Sequence, residues 1–193
     1  MEQDLMAKVA SAAVDIARNI KPSQYDLPTP CAEYDVRALI NHFTHWSAIV
    51  LERTARKLPP PTDGSEDEST DYAAKPDWPD FFATHVDRSI AAWAEPGAWE
   101  GETVMASSPM PARTIGTMMT AELALHGWDL AAATGQAYTL PDDVAADLLR
   151  TVESMADMAR QWGAFGPEVG VPADAPALDR ALALSGRDPG WRP

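Results

Sequence analysis

The chain has 193 residues, 46% hydrophobic and 23% charged, a size and balance that suit a single globular domain spanning residues 1–193 with a core of its own. Its formal net charge of −14 would repel phosphate backbones and argues against nucleic acid as a partner, and no apolar run approaches the roughly 18 residues that would cross a membrane. The acidic start lacks a signal-peptide pattern and the single cysteine, Cys31, has no internal partner for a disulfide, so the expected location is the reducing cytoplasm.

Leu5, Val9, Ala12, Ile16 and Ile20 recur at helical spacing and predict a first helix stopped by Lys21-Pro22. A proline-rich loop, residues 27–31, leads into a second helix expected from about Asp35 to Leu58. Residues 59–77 then carry six acids against Lys75, with no periodic apolar pattern, and read as a mobile, dispensable acidic loop. Asp77 is the expected cap of a third helix through Phe81, Phe82, Val86, Ile90 and Trp93, ending before Pro96-Gly97. Residues 98–111 read as irregular, with a short strand near Thr103–Met105.

The fourth helix begins near Ile115 and stops at Thr134-Gly135. A fifth opens at Thr139-Leu-Pro-Asp and buries Val144, Leu148, Val152, Met155, Ala159 and Trp162. A short helix around Leu178–Leu184, closed by Gly186, follows a loop. The expected fold is all-α, a four-helix bundle with an extra short C-terminal helix.

The fourth helix carries the chemistry. Its apolar stripe runs through Ile115, Met118, Met119, Leu130 and Ala133, and Glu122, His126 and Asp129 fall on the same stripe. Burying a carboxylate and an imidazole without partners costs several kcal/mol, on the order of 2–7 for a neutral polar group alone. Side chains at i and i+4 face the same way, so a divalent metal would satisfy both. Asp129 can accept from a ligand imidazole or reach an opposite helix.

A third ligand must come from His42, His45 or His85. At about 100° per residue, His42 lies roughly 110° from the core direction of the second helix and His45 roughly 170°. His42 is therefore at the edge of the buried face and His45 is expected to look outward, while angle alone leaves His85 open. The competing reading is that the Glu/His pair is an ordinary surface pair and the histidines are structural. Cys31, with no evident partner, reads as a structural thiol.

Asn41-His42, the preceding Thr29-Pro-Cys-Ala-Glu-Tyr-Asp-Val36, and Ala121-Glu-Leu-Ala-Leu-His-Gly-Trp-Asp-Leu130 resemble the DinB-like bundle superfamily. The resemblance is strongest to the metal-binding domain of mycothiol-dependent maleylpyruvate isomerases, and Phe165–Val169 with Leu184–Pro189 resembles a single-domain subgroup of that branch. It implies a four-helix bundle binding zinc or another divalent ion through His42, Glu122 and His126. It also implies mycothiol as co-substrate, its sulfur on the metal. The full isomerases carry an additional C-terminal domain for which the sequence has no room, so an activity other than maleylpyruvate isomerisation is expected.

Such a metal, with an open position, suits a thiol-dependent S-transferase or isomerase with a small-molecule thiol and an electrophile as partners. A binding protein without turnover and a metal-dependent hydrolase stay open as alternatives. Trp46 and Trp128 flank the ligands and, with Asp129, are the candidate walls of the cofactor pocket, while most of the seven tryptophans read as packing. A homodimer is a further possibility.

Overall fold

The computed structural model describes residues 2–64, 66–105 and 108–193. Its long helices are α1 (Glu2–Asn19), α4 (Trp78–Trp93), α5 (Ala112–Thr134) and α6 (Asp142–Gln161), with shorter α2 (Val36–Thr44), α3 (Leu51–Ala55) and α7 (Ala177–Leu184). Strand is confined, among the described residues, to the antiparallel ribbon of β1 (Glu102–Val104) and β2 (Pro109–Pro111). The all-α reading holds among the described residues. No helix among the described residues is long and apolar enough to cross a membrane.

Helix α5 forms the centre of the bundle. It packs on α1 over its length and also meets α2 and α6, while α4 closes against α1 and α3 and α7 lies on α6. The single stripe read from its sequence underestimates it: Ala112, Gly116, Thr120, Leu123, Ala124 and Ala131 are buried as well, so little of its circumference faces water. A helix that is apolar on most sides belongs in the interior, and its few ionisable groups must find partners there. The predicted stop is also found: Gly135 takes φ of 70°, a left-handed conformation that glycine adopts without steric cost, and its N–H closes back on Ala131.

The second helix departs from the straight rod predicted over residues 35–58. Asp35 caps α2 by accepting from the Ala38 amide at 2.7 Å, but residues His45–Val50 form a π turn before α3 resumes. The residues of that turn are mostly buried against α4, where Ser89 donates to the Ala48 carbonyl at 2.9 Å. A π turn inside an α-helix shifts the phase of everything beyond it. Asp77 precedes α4 but its side chain makes no capping bond, contrary to expectation.

The acidic loop is exposed along much of its length and touches the helices at defined points. Arg53, almost fully buried, grips both carboxylate oxygens of Glu66 at 2.8 Å. The Trp46 indole donates to Glu68, Asp71 pairs with Arg37 and accepts from Asn41, and Tyr72 and Ala73 are buried. Residue 65 of this loop, and residues 106 and 107 of the predicted irregular segment, lie outside the described residues. His45, expected to look outward, is only 4% exposed, with Trp46 edge-on to its ring at 4.9 Å between centroids.

Candidate metal centre

Two imidazoles converge on one carboxylate. His42 Nε2 from α2 lies 3.1 Å from Glu122 Oε1, and His126 Nε2, one turn along α5 from Glu122, lies 3.5 Å from the same oxygen. The two imidazole rings meet edge to face at 5.2 Å. One donor atom from each of the three residues lies within 4.8 Å of the others. Nitrogen and oxygen ligands at the roughly 2.0–2.1 Å of zinc bonds sit about 3.3 Å apart around a tetrahedral ion, so these separations and this donor set fit a divalent metal.

Each imidazole is held from behind. Tyr34 Oη lies 3.2 Å from His42 Nδ1, and the Tyr34 backbone is fixed by Thr29, whose hydroxyl donates to the Cys31 and Tyr34 carbonyls. His126 Nδ1 lies 2.8 Å from Asp129 Oδ2. A neutral ring with Nδ1–H donating to a tyrosine oxygen or a carboxylate would offer its Nε2 lone pair to a cation, whereas in the metal-free protein the Nε2–H of His42 donates to the Glu122 carboxylate. Asp129 is fully buried and is also gripped by Arg187, whose Nε and one terminal nitrogen donate to the two carboxylate oxygens at 2.9 and 2.8 Å. The remaining terminal nitrogen of Arg187 donates to Ser185 Oγ.

These contacts set the charge states. Burial works against the charged form of His42, but the hydrogen bond and charge of Glu122, helped by Glu68 and Glu33, outweigh it and raise its pKa. Burial likewise opposes ionisation of Glu122, and is overcome by His126, His42 and Arg187, which hold its pKa below the usual carboxylate range. For Asp129, burial again opposes and Arg187 with His126 wins, depressing its pKa. Burial, reinforced by the charge of Asp129, pushes the Cys31 thiol upward despite Arg187.

Two cavities meet at the three residues. The first, about 210 Å³, is walled mainly by Trp46, methionines of α5 and α6, Leu125 and Phe165. The second, about 430 Å³, is walled by the 30–34 loop, the 163–166 loop and the Ser185–Arg187 turn. Gly186 there has φ of 91°, and a Cβ on it would lie 2.7 Å from the Gly166 Cα, so only glycine allows the C-terminal turn to close on that loop.

The residues named from sequence divide as follows. His42, Glu122 and His126 come together. Trp46 is a cavity wall, with its ring 6.5 Å from that of His42. Asp129 lies behind His126 rather than in a cavity. Trp128 does not line either cavity: it continues the Ala121–Leu125 seam one turn further, packed with Met155, Ala159 and Leu182. His85 lies tilted against Phe81 at 4.2 Å between ring centroids and His45 is buried elsewhere, so neither joins the three. Cys31, read as partnerless, has its sulfur within 4.8 Å of donor atoms of His126 and Asp129. Tyr34 and Arg187 were missed. Tyr34 sits inside the Thr29–Val36 phrase that carried the family resemblance, and Arg187 inside Leu184–Pro189, but neither has a periodicity that marks it as facing the site.

Comparison with known proteins bears on the fold and the family. Two uncharacterized proteins of Mycobacterium tuberculosis, MT0763 of strain CDC 1551 / Oshkosh and Rv0738 of strain ATCC 25618 / H37Rv, are each 25% identical over 185 residues, 93% of this chain and 94% of theirs. Among solved structures, the mycothiol-dependent maleylpyruvate isomerase aligns with a TM-score of 0.54 at 17% identity, covering 80% of this chain and 71% of its own. A point mutant of that enzyme aligns at 0.56 with 16% identity over 78% of this chain and 68% of its own. At those identities the structural matches establish the shared bundle. The family model described as the mycothiol maleylpyruvate isomerase N-terminal domain matches residues 6–131, about two thirds of the sequence, and the chain belongs to that family.

Proposed function

We propose that this chain is a thiol-dependent enzyme that holds a divalent ion, zinc in the first instance, through His42, Glu122 and His126. The reaction is attachment of mycothiol through its sulfur to an electrophilic carbon, or an isomerisation when the thiol leaves again. The observation that carries this reading is the convergence of two back-held imidazoles on one carboxylate where two cavities join. Family membership supplies the thiol. When bound, a divalent ion with an open position lowers the pKa of a thiol so that it reacts as thiolate at neutral pH.

The chain's own residues do the rest. Tyr34 and Asp129 orient the two imidazoles, and Glu122 neutralises part of the cation's charge. The apolar wall limits water around the reacting carbon. Cys31 is not assigned the nucleophile's role: burial pushes its thiol toward the neutral form, and thiols react as thiolates.

The test has two stages. Metal analysis of the purified protein should give about one divalent ion per chain, with His42→Ala, Glu122→Ala and His126→Ala each reducing it. Full occupancy in all three variants overturns the site. With mycothiol and a panel of electrophiles, the loaded protein should accelerate loss of free thiol and the Glu122→Ala variant should not. Metal binding without any thiol consumption would leave a binding protein, and metal-dependent hydrolysis without thiol would favour the hydrolase reading.

A further inference from the structure

The two cavities that share His42, Glu122 and His126 differ in chemistry. Trp46, Met105, Met118, Leu125, Met155 and Phe165 dominate the smaller one, and its ionisable groups are the three proposed ligands and Arg187. The larger one adds the ionisable side chains of Cys31, Glu33 and Tyr34, together with backbone from the glycines of the two loops. A reaction between two molecules at one centre needs two berths, and here one is almost wholly apolar and the other is of mixed, more polar lining.

We infer, resting on the thiol-transfer reading, that the electrophile is an uncharged, largely apolar molecule of about one aromatic ring, seated in the methionine-lined cavity, while the hydrophilic thiol takes the polar one. Charge decides against an anionic electrophile such as a dicarboxylate. Among the described residues Arg187 is the only arginine or lysine in either wall, and Asp129 takes both of its strongest hydrogen bonds and its charge. Its third bond goes to Ser185. The two charges of a divalent ion are matched by Glu122 and a thiolate, and Glu33 adds another negative charge at the polar mouth. A carboxylate entering between these walls would be desolvated without a counter-ion, which is costly. An uncharged ring loses little on leaving water and gains contact with thioether and aromatic side chains.

The bond changes are those of substitution at carbon: an S–C bond forms, a C–Cl bond breaks in the probe used below, chloride departs with the bonding pair, and the thiol proton passes to water. A matched pair separates charge from shape. Equilibrium dialysis of the metal-loaded protein with the unreactive 1,3-dinitrobenzene and 3,5-dinitrobenzoate should show at least tenfold tighter binding of the uncharged ring. Met118→Asp should abolish most of that binding, and Met105→Asp, in the segment after β1, serves where the first variant does not fold. In turnover with mycothiol, 1-chloro-2,4-dinitrobenzene should gain at least tenfold more over its uncatalysed rate than 4-chloro-3,5-dinitrobenzoate. Equal or tighter binding of the carboxylate, or an equal gain in its rate, overturns the inference. Failure to accelerate either electrophile would count against thiol transfer alone, and the dialysis result would still decide the nature of the cavity.

Discussion

Asp129 has two jobs at once: it accepts from His126 and it neutralises Arg187, both within 2.9 Å and entirely out of water. The two jobs can be separated by substitution. Asp129→Ala strands a buried guanidinium, and breaking a buried pair by removing one partner costs roughly 3–5 kcal/mol, so denaturant unfolding should show a loss of that order. Asp129→Asn keeps the shape, but weakens the acceptor behind His126; isothermal titration should then show zinc affinity lowered roughly 10–100-fold. Unchanged affinity would mean that His126 needs no support. Protons also compete for His42. Because its pKa is raised above 6.5 in the metal-free protein, zinc affinity should begin to fall at a pH above 6.5 as the medium is acidified. The same shift makes the His42–Glu122 pair stabilising in the metal-free protein below pH 6.5, a contribution lost as pH rises through the raised value.

At the level of elements, the π turn and the acidic loop belong to one arrangement. His45 begins the turn, Trp46 sits on it, and Glu66, Glu68 and Asp71 tie the loop to Arg53, Trp46 and Arg37. Removing the whole of residues 59–74 would expose the site of Tyr72 and leave Arg53 without Glu66. At roughly 2–4 °C per kcal/mol for a chain of this size, the melting temperature should drop by about 10 °C. Shortening only residues 59–64, all exposed, should change it by no more than a few degrees. If both deletions are equally mild, the loop is as free as its composition suggested. His45→Ala should leave metal content unchanged, since the ring lies apart from the three proposed ligands, while lowering stability through loss of buried packing.

Much of the helical framework was legible because apolar spacing reports burial directly: α1, α4, α6 and α7 fall within a few residues of expectation. Glu122 and His126 were legible because helical phase places them on the inward stripe, whereas His42 stood at the edge of its face and was singled out with the help of the family resemblance. The π turn was not, since every one of its residues is compatible with an ordinary helix. The loop anchors were not either, because a charged residue that reaches a buried arginine looks the same in sequence as one in water. Arg187 escaped for a related reason: its partner is 58 positions away, and only the folded chain brings them together.

On the scale of the whole molecule, the family match ends at residue 131, whereas the site continues beyond it. All three proposed ligands lie inside the matched region. Arg187, Phe165 and the glycine turn that wall the two cavities lie outside it, carried by the segment that follows α6. Helix α7 buries Leu182 against Leu125, Trp128, Met155 and Ala159, so the C-terminal segment is part of the core and of the site together. A chain ended after Gly135 would keep His42, Glu122 and His126 but leave Asp129 buried beside no cation, with an apolar seam of α5 in water. It should bind an environment-sensitive apolar dye, unfold at lower denaturant, and hold zinc more weakly than the full chain. Acid should reproduce part of this in the intact protein. The depressed pKa of Asp129 means that its pair with Arg187 contributes fully above pH 3.8 and fades as pH falls through the lower, folded value. Acid titration of stability should therefore steepen below pH 3.8 in the wild type and flatten there in Asp129→Asn. Coincident acid limbs for the two proteins would show that the C-terminal segment is held by α7 packing alone, and that the Asp129–Arg187 pair serves only to orient His126.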